Sequence, residues 1–272
     1  MDTRAGHDAI PCPLIIEPMS EYIARRATHL TSHQLADFRR CPLLYRRKAL
    51  GLIPDEDRPA YIVGRAAHKL ILEGQDAFSA SYAVGGPVNP RTGSVYGSNT
   101  KAYAEWAEAQ CKPVLTDAQF ALITNLCDGV RSHAAAKALL AKGMAEGVVR
   151  ETCCDVPCQA RIDWFNPEHG IVDLKTCDDL TWFEADARRY GYIHQVAFYR
   201  AVLAEAARET FGVSIIAVEK REPYRCGAWR VSADVLGVAQ KENEAAIRRL
   251  VKCRKADRWP TGYEDVRTFD YL

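Results

Sequence analysis

The sequence has no long uninterrupted apolar run and almost no net charge. None of its hydrophobic stretches approaches the ~18 residues that a membrane-spanning helix needs. The N-terminal residues 1–8 lack the charged-then-apolar pattern of a signal peptide. We therefore expect a cytoplasmic protein with no membrane partner. The 36 basic and 35 acidic residues leave a net charge of +1, which argues against a uniformly basic nucleic-acid binder.

Two familiar binding signatures are also missing. The ten cysteines include no Cys-x-x-Cys pair, and the group Cys153, Cys154 and Cys158 does not have a usual zinc-ligand spacing. We expect these cysteines to be reduced and mostly buried as small hydrophobes. The phosphate loop G-x-x-x-x-G-K-[ST] is absent as well, which argues against a built-in ATPase.

The charged residues that cluster along the sequence are mainly basic. Seven Arg and Lys residues lie between Arg25 and Lys48, where Asp37 is the one acid, and six lie between Arg248 and Arg258. A chain with bases at its edges and acids elsewhere can hold a polyanion by its backbone. Each basic run can equally be a solvated helix face, and the run alone does not decide between the two.

The order of predicted elements indicates a single α/β domain over residues 1–272, with a helical N-terminal region and a catalytic core at about 145–235. Residues 1–20 form an irregular arm, and residues 85–100, rich in Gly, Pro, Ser and Asn, form a long loop. The predicted helices are 31–41, 59–74, 101–111, 116–142, 186–208 and 234–257. The predicted strands are 148–153, 158–165, 170–175, 213–220 and 225–231.

The most informative stretch is the predicted hairpin around the turn 166–170. Alternation puts Gln159, Arg161, Asp163 and Phe165 on one face of its first strand. It puts Ile171, Asp173 and Lys175 on one face of the second strand.

A turn centred near Glu168 places Asp163 opposite Asp173, at a Cβ separation of ~5 Å where like charges are destabilising. A cation between the two acids would relieve this. Two hard carboxylates beside the lysine suit Mg²⁺ or Mn²⁺ and a phosphate ester. The alternative is that both acids are exposed strand residues that pair with Arg161 and Lys175.

With this hairpin in place, the chain resembles the PD-(D/E)XK nuclease superfamily. Within it, the strings GRAAHKLIL, IVDLKTCDD and YIHQVAFYRAVL, along with NPRTGSVYG, resemble phage and prophage exonucleases of the exodeoxyribonuclease VIII (RecE-like) and lambda-exonuclease type. The matching residues, in order, are His68, Asp163, Asp173-Leu174-Lys175 and Gln195-x-x-x-Tyr199. The resemblance implies a restriction-endonuclease-like core, a mixed β-sheet flanked by helices.

The resemblance, together with charge, implies a role for each residue. Asp163, Asp173, the Leu174 carbonyl and His68 would hold Mg²⁺, with Mn²⁺ as a substitute and two ions per site. Lys175 would orient or deprotonate the attacking water, or offset charge on the phosphorane.

Further residues complete the predicted set. Gln195 and Tyr199 lie on one helix face and would bind a phosphate or hold Lys175, although Tyr199 can equally be a core aromatic. Glu151 is a catalytic candidate, or else pairs with Arg161 through a turn centred on Val156. The residues predicted to contact DNA or a terminal 5′-phosphate are Ser32, Arg39, Arg40 and Arg161. For Ser32, helix capping is the alternative.

The resemblance further implies the activity. It predicts a Mg²⁺-dependent exonuclease that degrades one strand of linear double-stranded DNA from 5′ to 3′ and leaves a 3′ tail for recombination. Such enzymes form ring-shaped homo-oligomers, trimers or tetramers, and work with a single-strand annealing protein. The alternatives are a DNA endonuclease or helicase-associated nuclease of the same superfamily, or a non-catalytic scaffold that binds DNA ends.

Overall fold

A computed structural model of the chain describes residues 13–54 and 59–270. Residues 1–12 of the predicted arm lie outside this range. The part of the arm that is described is irregular up to Pro18, and the first helix then begins at Met19. Within the described ranges, no helix combines the length and the apolar character needed to cross a lipid bilayer.

Helices precede and follow a five-stranded sheet. The helices are α1 (Met19–Ala24), α2 (Ser32–Arg40), α3 (Pro42–Ala49), α4 (Pro59–His68), α5 (Gly74–Ser81), α6 (Lys101–Ala109), α7 (Asp117–Ser132), α8 (Ala134–Leu139), α9 (Phe183–Arg189), α10 (Tyr192–Ala207) and α11 (Ala233–Ala256). The strands are β1 (Ala83–Val84), β2 (Val114–Leu115), β3 (Met144–Cys153), β4 (Val156–Asn166), β5 (Gly170–Cys177), β6 (Val213–Glu219) and β7 (Cys226–Arg230).

The sheet has the order β3-β4-β5-β6-β7, while β1 and β2 form a separate parallel pair. Neighbouring strands of the large sheet are antiparallel except β5 and β6, which are parallel. A parallel pair needs a long crossover, and α9 and α10 supply it. This mixed α/β architecture confirms the predicted fold class.

The two faces of the sheet bury separate cores. On one face, Ile171 and Ile215 pack with residues of α2, α10 and α11. On the other, Val172 and Leu174 pack with residues of α4, α5 and α7. Since successive side chains of a strand point to opposite faces, this division confirms the alternation predicted for β5. Helices therefore cover the sheet on both sides.

Two predicted helices are interrupted. The helix predicted over 116–142 breaks at His133, whose backbone is extended and whose Nδ1 accepts the Ala136 N–H as a cap of α8. The helix predicted over 186–208 breaks at Gly191, which adopts φ +72° between α9 and α10. Glycine adopts this left-handed conformation without a steric cost, so the break lies where the sequence permits it.

The start of α2 matches its prediction closely. Thr31 is the N-cap: its hydroxyl accepts the Gln34 N–H, and the Gln34 side chain accepts the Thr31 N–H. This reciprocal arrangement is a capping box. Ser32, for which capping is the predicted alternative to a phosphate contact, is the first residue of the helix and not its cap.

The predicted register of the β3–β4 hairpin is wrong. The turn is not centred on Val156 but is the two-residue loop Cys154-Asp155, in which both residues have positive φ. Cys153 therefore pairs with Val156, and Glu151 pairs with Cys158 rather than with Arg161. Loops of this type usually contain Asn or Gly, so a Cys-Asp pair gave no recognisable signal.

Candidate active site

Asp163 and Asp173 are adjacent on neighbouring strands, as the hairpin predicts. The β4–β5 ladder ends at the pair Trp164–Val172, and the two aspartates come next in that register. Here Oδ2 of Asp163 accepts the Leu174 N–H at 2.9 Å. The regular alternation of β4 also shifts at this point, because Phe165 packs in the same core cluster as Ile162. The predicted face shared by Asp163 and Phe165 is therefore wrong.

Asp173 is almost completely buried and is paired with the lysine that follows it on the same face. Its side chain is 1% exposed, and Nζ of Lys175 lies 2.5 Å from its Oδ2. Neither of its carboxylate oxygens makes a hydrogen bond among the described residues, and Oδ1 is not the oxygen that contacts Lys175. A buried carboxylate oxygen without a donor is costly. The arrangement therefore suits a further positive ligand at Oδ1.

Three side chains from three elements converge beside this pair. One atom each from His68, Glu146 and Asp163 can be chosen so that all three lie within 4.8 Å of one another. Nδ1 of His68 lies 3.5 Å from Oδ2 of Asp163. Two carboxylates and an imidazole form a ligand set suited to a divalent cation such as Mn²⁺ or Mg²⁺.

The backbone is unusual at two of these positions. Glu146 interrupts the β3 ladder opposite Asp163 and has φ +56°, an uncommon conformation for a residue with a side chain. His68 ends α4, and the helix widens into a π-helical segment at Lys69–Glu73. Such outliers persist where the surrounding structure enforces them, and they are frequent at functional sites.

The three acids lie in surroundings that disfavour their charge. Burial raises the pKa of Asp163 and of Asp173, and Lys175 opposes the rise at both. Burial, together with the nearby Asp163, also raises the pKa of Glu146. Desolvation and like charge both penalise ionised carboxylates. A bound cation would remove much of this penalty.

The two basic groups respond in opposite directions. Burial and the positive Lys175 lower the pKa of His68 to about 4, so its imidazole is neutral near pH 7 and able to bind a metal. Burial lowers the pKa of Lys175 too, but Asp173 and Asp163 outweigh it and raise the pKa overall. Without a metal, Lys175 is therefore a cation.

Gln195 and Tyr199 of α10 meet near the same acids. Nε2 of Gln195 donates to the Tyr199 hydroxyl at 2.7 Å. Burial raises the pKa of Tyr199 well above its usual value, and Asp173 and Asp163 contribute, while the nearby Ser32 side chain opposes the rise. Ser32, predicted as a phosphate contact, is therefore buried beside Tyr199. Tyr199 also packs in the core, as the core-aromatic alternative predicts, and its role at a phosphate or at Lys175 stays a prediction.

The predicted arginines lie in different surroundings. Arg39 donates to Oδ1 of Asn243 at 2.6 Å and so ties α2 to α11. Arg40 is exposed in the last turn of α2. Arg161 is 13% exposed and is engaged by the Glu146 carboxylate and the Glu17 carbonyl. Of these, Arg161 thus contacts a member of the candidate ligand set directly.

Glu146, not Glu151, is the glutamate that the structure brings to the site. Glu151 lies five positions further along β3 than Glu146 and pairs with Cys158 of β4. Its carboxylate accepts the neighbouring Thr152 N–H. The predicted turn centre, Val156, lies one and a half residues beyond the observed centre between Cys154 and Asp155. This error explains why the sequence predicts Glu151 and not Glu146 at the site. A turn at Cys154-Asp155 puts Glu146 opposite Asp163, but nothing in the sequence marks that turn.

A cavity of about 550 Å³ opens beside the start of α2. Its lining includes Arg26, His33, Lys48 and Arg254, with Asp37 as its acid. His33 is an exposed residue of this cavity. Partial desolvation lowers its pKa, the charge of Lys175 lowers it further and Asp173 raises it, so His33 lies within electrostatic range of the site. Sequence reasoning missed His33, although it lies in the basic stretch between Arg25 and Lys48.

Comparison with known proteins bears on the family and the fold. Residues 31–270 match the family described as "PDDEXK-like domain of unknown function (DUF3799)". A crystal structure of a "Putative exonuclease" from Eubacterium rectale superposes with a TM-score of 0.68 at 14% identity, covering 95% of this chain and 97% of that one. At this identity the likeness shows the fold alone.

A second solved structure is less similar. LHK-Exo in complex with dAMP covers 88% of this chain and 98% of its own, at 16% identity and a TM-score of 0.34. Among curated proteins, none matches the sequence at a significant level.

Proposed function

This chain belongs to the PDDEXK-like family DUF3799, and from that premise we propose that it is a metal-dependent exodeoxyribonuclease. Its substrate is linear double-stranded DNA, and its cofactor is Mg²⁺, for which Mn²⁺ can substitute. It removes nucleotides from one strand in the 5′ to 3′ direction and leaves a 3′ single-stranded tail. We further propose that it acts as a ring-shaped trimer or tetramer with a single-strand annealing protein, as the sequence resemblance implies.

One observation carries the nuclease assignment. Buried Asp173 forms an ion pair with Lys175 at Oδ2, yet neither of its carboxylate oxygens makes a hydrogen bond among the described residues, next to the ligand set of His68, Glu146 and Asp163. A purely structural cluster would satisfy both oxygens or expose them. The same arrangement fits a divalent cation facing a phosphodiester.

Each residue then has a defined task. His68, Glu146, Asp163 and Asp173 would hold the metal, with the Leu174 carbonyl as the further ligand that the sequence suggested. When bound, the metal supplies charge stabilisation and a more acidic water. Lys175, a cation on the same face, donates to the scissile phosphate and offsets its developing negative charge. This favours the charge-offsetting role over the general-base role.

Gln195 and Tyr199 are positioning residues in this proposal. The Gln195 amide holds the Tyr199 hydroxyl, and the raised pKa of Tyr199 keeps that hydroxyl protonated. It can therefore donate a hydrogen bond towards the acids or a phosphate oxygen. Ser32, buried beside it, can extend the same donor set.

We propose that the cavity beside α2 receives the end of the degraded strand. Arg26, His33, Lys48 and Arg254 line it, and such side chains neutralise phosphates. Arg40 is exposed on the same helix and would contact the backbone outside. Arg39 would hold α2 in place through Asn243. We also propose that this cavity prefers a strand end that carries a 5′-phosphate.

The test is nucleotide release from matched DNA forms. Linear and closed-circular duplexes of one sequence are incubated with protein and Mg²⁺, and acid-soluble nucleotides are measured. We expect release from the linear form alone, faster with a 5′-phosphate. Asp173→Ala and Lys175→Ala should each lose at least about 100-fold of this activity. A phosphorothioate block at the 5′ or the 3′ ends reports the direction.

Other outcomes identify the alternatives. Equal attack on closed circles would make the protein an endonuclease. Binding of DNA ends with or without Mg²⁺, and no nucleotide release with any divalent ion, would leave a non-catalytic scaffold. A block that works only at the 3′ ends would reverse the proposed direction.

A further inference from the structure

A row of aromatic rings leads from Lys175 to the protein surface. Nζ of Lys175 lies 5.0 Å from the centre of the Tyr192 ring. The Tyr192 ring in turn lies 5.8 Å from the Tyr190 ring, with 35° between the ring planes. The guanidinium of Arg189 lies 5.6 Å from the centre of the Tyr190 ring. Tyr190 is 57% exposed, so the outer end of the row is open to solvent.

The rings are held by the connection between α9 and α10. The Tyr190 N–H donates to the Asp186 carbonyl, and the Gly191 N–H donates to the Arg188 carbonyl. Gly191 is in the left-handed conformation, and a Cβ there would lie 3.2 Å from Nη2 of Arg39. The tyrosines on either side of this glycine are therefore placed by a fixed turn.

The inner tyrosine is also anchored from the core. The Tyr192 ring lies 6.2 Å from the ring of Phe183, which is 2% exposed and packs against Trp229 at 4.7 Å. The inner end of the row is thus fixed by packing against Phe183, and the outer end lies beside the charged, exposed Arg189. A rigid aromatic surface of this kind loses little entropy when it binds a ligand.

We propose that Tyr190 and Tyr192, with Arg189, form a stacking platform for an unpaired nucleobase adjoining the scissile phosphate. The proposal rests on the proposed nuclease function, because Lys175 is placed at that phosphate. Because Nζ of Lys175 lies over the Tyr192 ring, the tyrosine row is within reach of a base attached to a phosphodiester at Lys175, and every base has a face that stacks on an aromatic ring. The guanidinium of Arg189 contributes a positive charge that interacts with the Tyr190 ring and attracts the neighbouring phosphate. The ligand class is a single-stranded end of DNA, separated from its partner strand.

A binding cycle tests this without hydrolysis. Two single-stranded oligonucleotides are compared in EDTA, one carrying a normal base and one an abasic site at the terminal position. Both have the same phosphates, so their affinities differ only by the base. Stacking on a protein ring is worth about 5- to 150-fold per base. We expect the wild type to prefer the base by about tenfold, Tyr190→Ala to lose most of that preference, and Tyr190→Phe to keep it.

A matched control is available in the same chain. Tyr263 is 74% exposed and has Arg267 4.1 Å from its ring centre, in the C-terminal segment. Tyr263→Ala should leave the base preference unchanged. An equal preference for the base in wild type and Tyr190→Ala would overturn the platform.

The two proposals fail independently. Loss of the base preference in Tyr190→Ala, in a protein that releases no nucleotides, would keep the platform and remove the nuclease. Nucleotide release with no effect of Tyr190 on the base preference would do the reverse.

Discussion

At the scale of single residues, the site depends on groups whose charge is unfavourable in isolation. Asp173 is buried with neither oxygen in a hydrogen bond, and Asp163 and Glu146 share an interior position beside a neutral His68. Removing one member of such a set changes the pKa values of the others. Their roles are therefore best separated by substitutions that keep shape and remove charge.

The two glutamates of β3 offer such a comparison. Glu146→Gln removes one candidate metal ligand, so we expect nuclease activity to fall by about 100-fold and to need a higher Mg²⁺ concentration. Glu151→Gln is the matched control on the same strand and should stay within about twofold of wild type, because Glu151 pairs with Cys158 away from the acids. Activity measured across a Mg²⁺ titration provides the readout. The reverse ranking of the two variants would place the ligand at Glu151 after all.

Sequence pattern and structure diverge at these glutamates for a definite reason. Alternation and turn signals located Asp163, Asp173 and Lys175 because the β4–β5 turn, Asn166 to Gly170, is rich in turn-forming residues. The β3–β4 turn has no such signal. A hairpin register shifts as a whole with its turn, and so the sequence pattern predicts Glu151 where the structure has Glu146.

At the scale of elements, β5 is fixed closely against the loop that enters β6. The Ile171 N–H donates to the Gly212 carbonyl at 2.9 Å. Gly170 has φ +82°, and a Cβ there would lie 2.2 Å from that same oxygen and 2.8 Å from the Gly212 nitrogen. Backbone atoms on both sides leave no room for adjustment, so this glycine sets where the strand bearing Asp173 begins.

Gly170→Ala should therefore destabilise the protein strongly. The left-handed conformation alone costs about 1–2 kcal/mol for a residue with a Cβ, and the clash with Gly212 adds to it, for a total of more than about 2 kcal/mol. Gly51→Ala is the control: its φ is +71°, yet no atom lies within 4 Å of the added Cβ. Urea denaturation gives both free energies of unfolding. Similar losses in the two variants would refute the role assigned to the close approach.

At the scale of the whole molecule, the acidic cluster links stability to metal and to pH. Each raised carboxyl pKa means that the folded state favours the protonated form. That contribution to stability is present below the unfolded pKa, near 4, and is lost as the pH rises through the folded pKa. A cation that binds only the folded state adds stability by mass action, about 2.7 kcal/mol at 100 times its dissociation constant.

Asp163→Asn isolates this effect. Its amide oxygen can still accept the Leu174 N–H, while the buried charge is gone. In EDTA we expect a higher Tm than wild type, by about 2–4 °C for each kcal/mol. The gain should be small near pH 4 and grow as the pH rises through the raised pKa of Asp163. His68 titrates in both proteins, so the difference largely cancels its contribution.

Thermal unfolding with and without Mg²⁺ completes this test. Added Mg²⁺ should raise the Tm of wild type and have less effect on Asp163→Asn. A lower Tm for the variant in EDTA at pH 7 would contradict the account of a destabilising buried charge.

The sequence by itself determined the elements whose signals are local. The capping box at Thr31, the alternation along β5 and the turn before Gly170 need only neighbouring residues, and they brought Asp163, Asp173 and Lys175 together. The sequence resemblance added His68, Gln195 and Tyr199, and tertiary structure alone decided which further residues joined them. Glu146 reaches Asp163 through strand register, and the Tyr190–Tyr192 row reaches Lys175 through helix packing. Such contacts depend on how the whole sheet and its two cores fit together, and no short stretch of sequence encodes that.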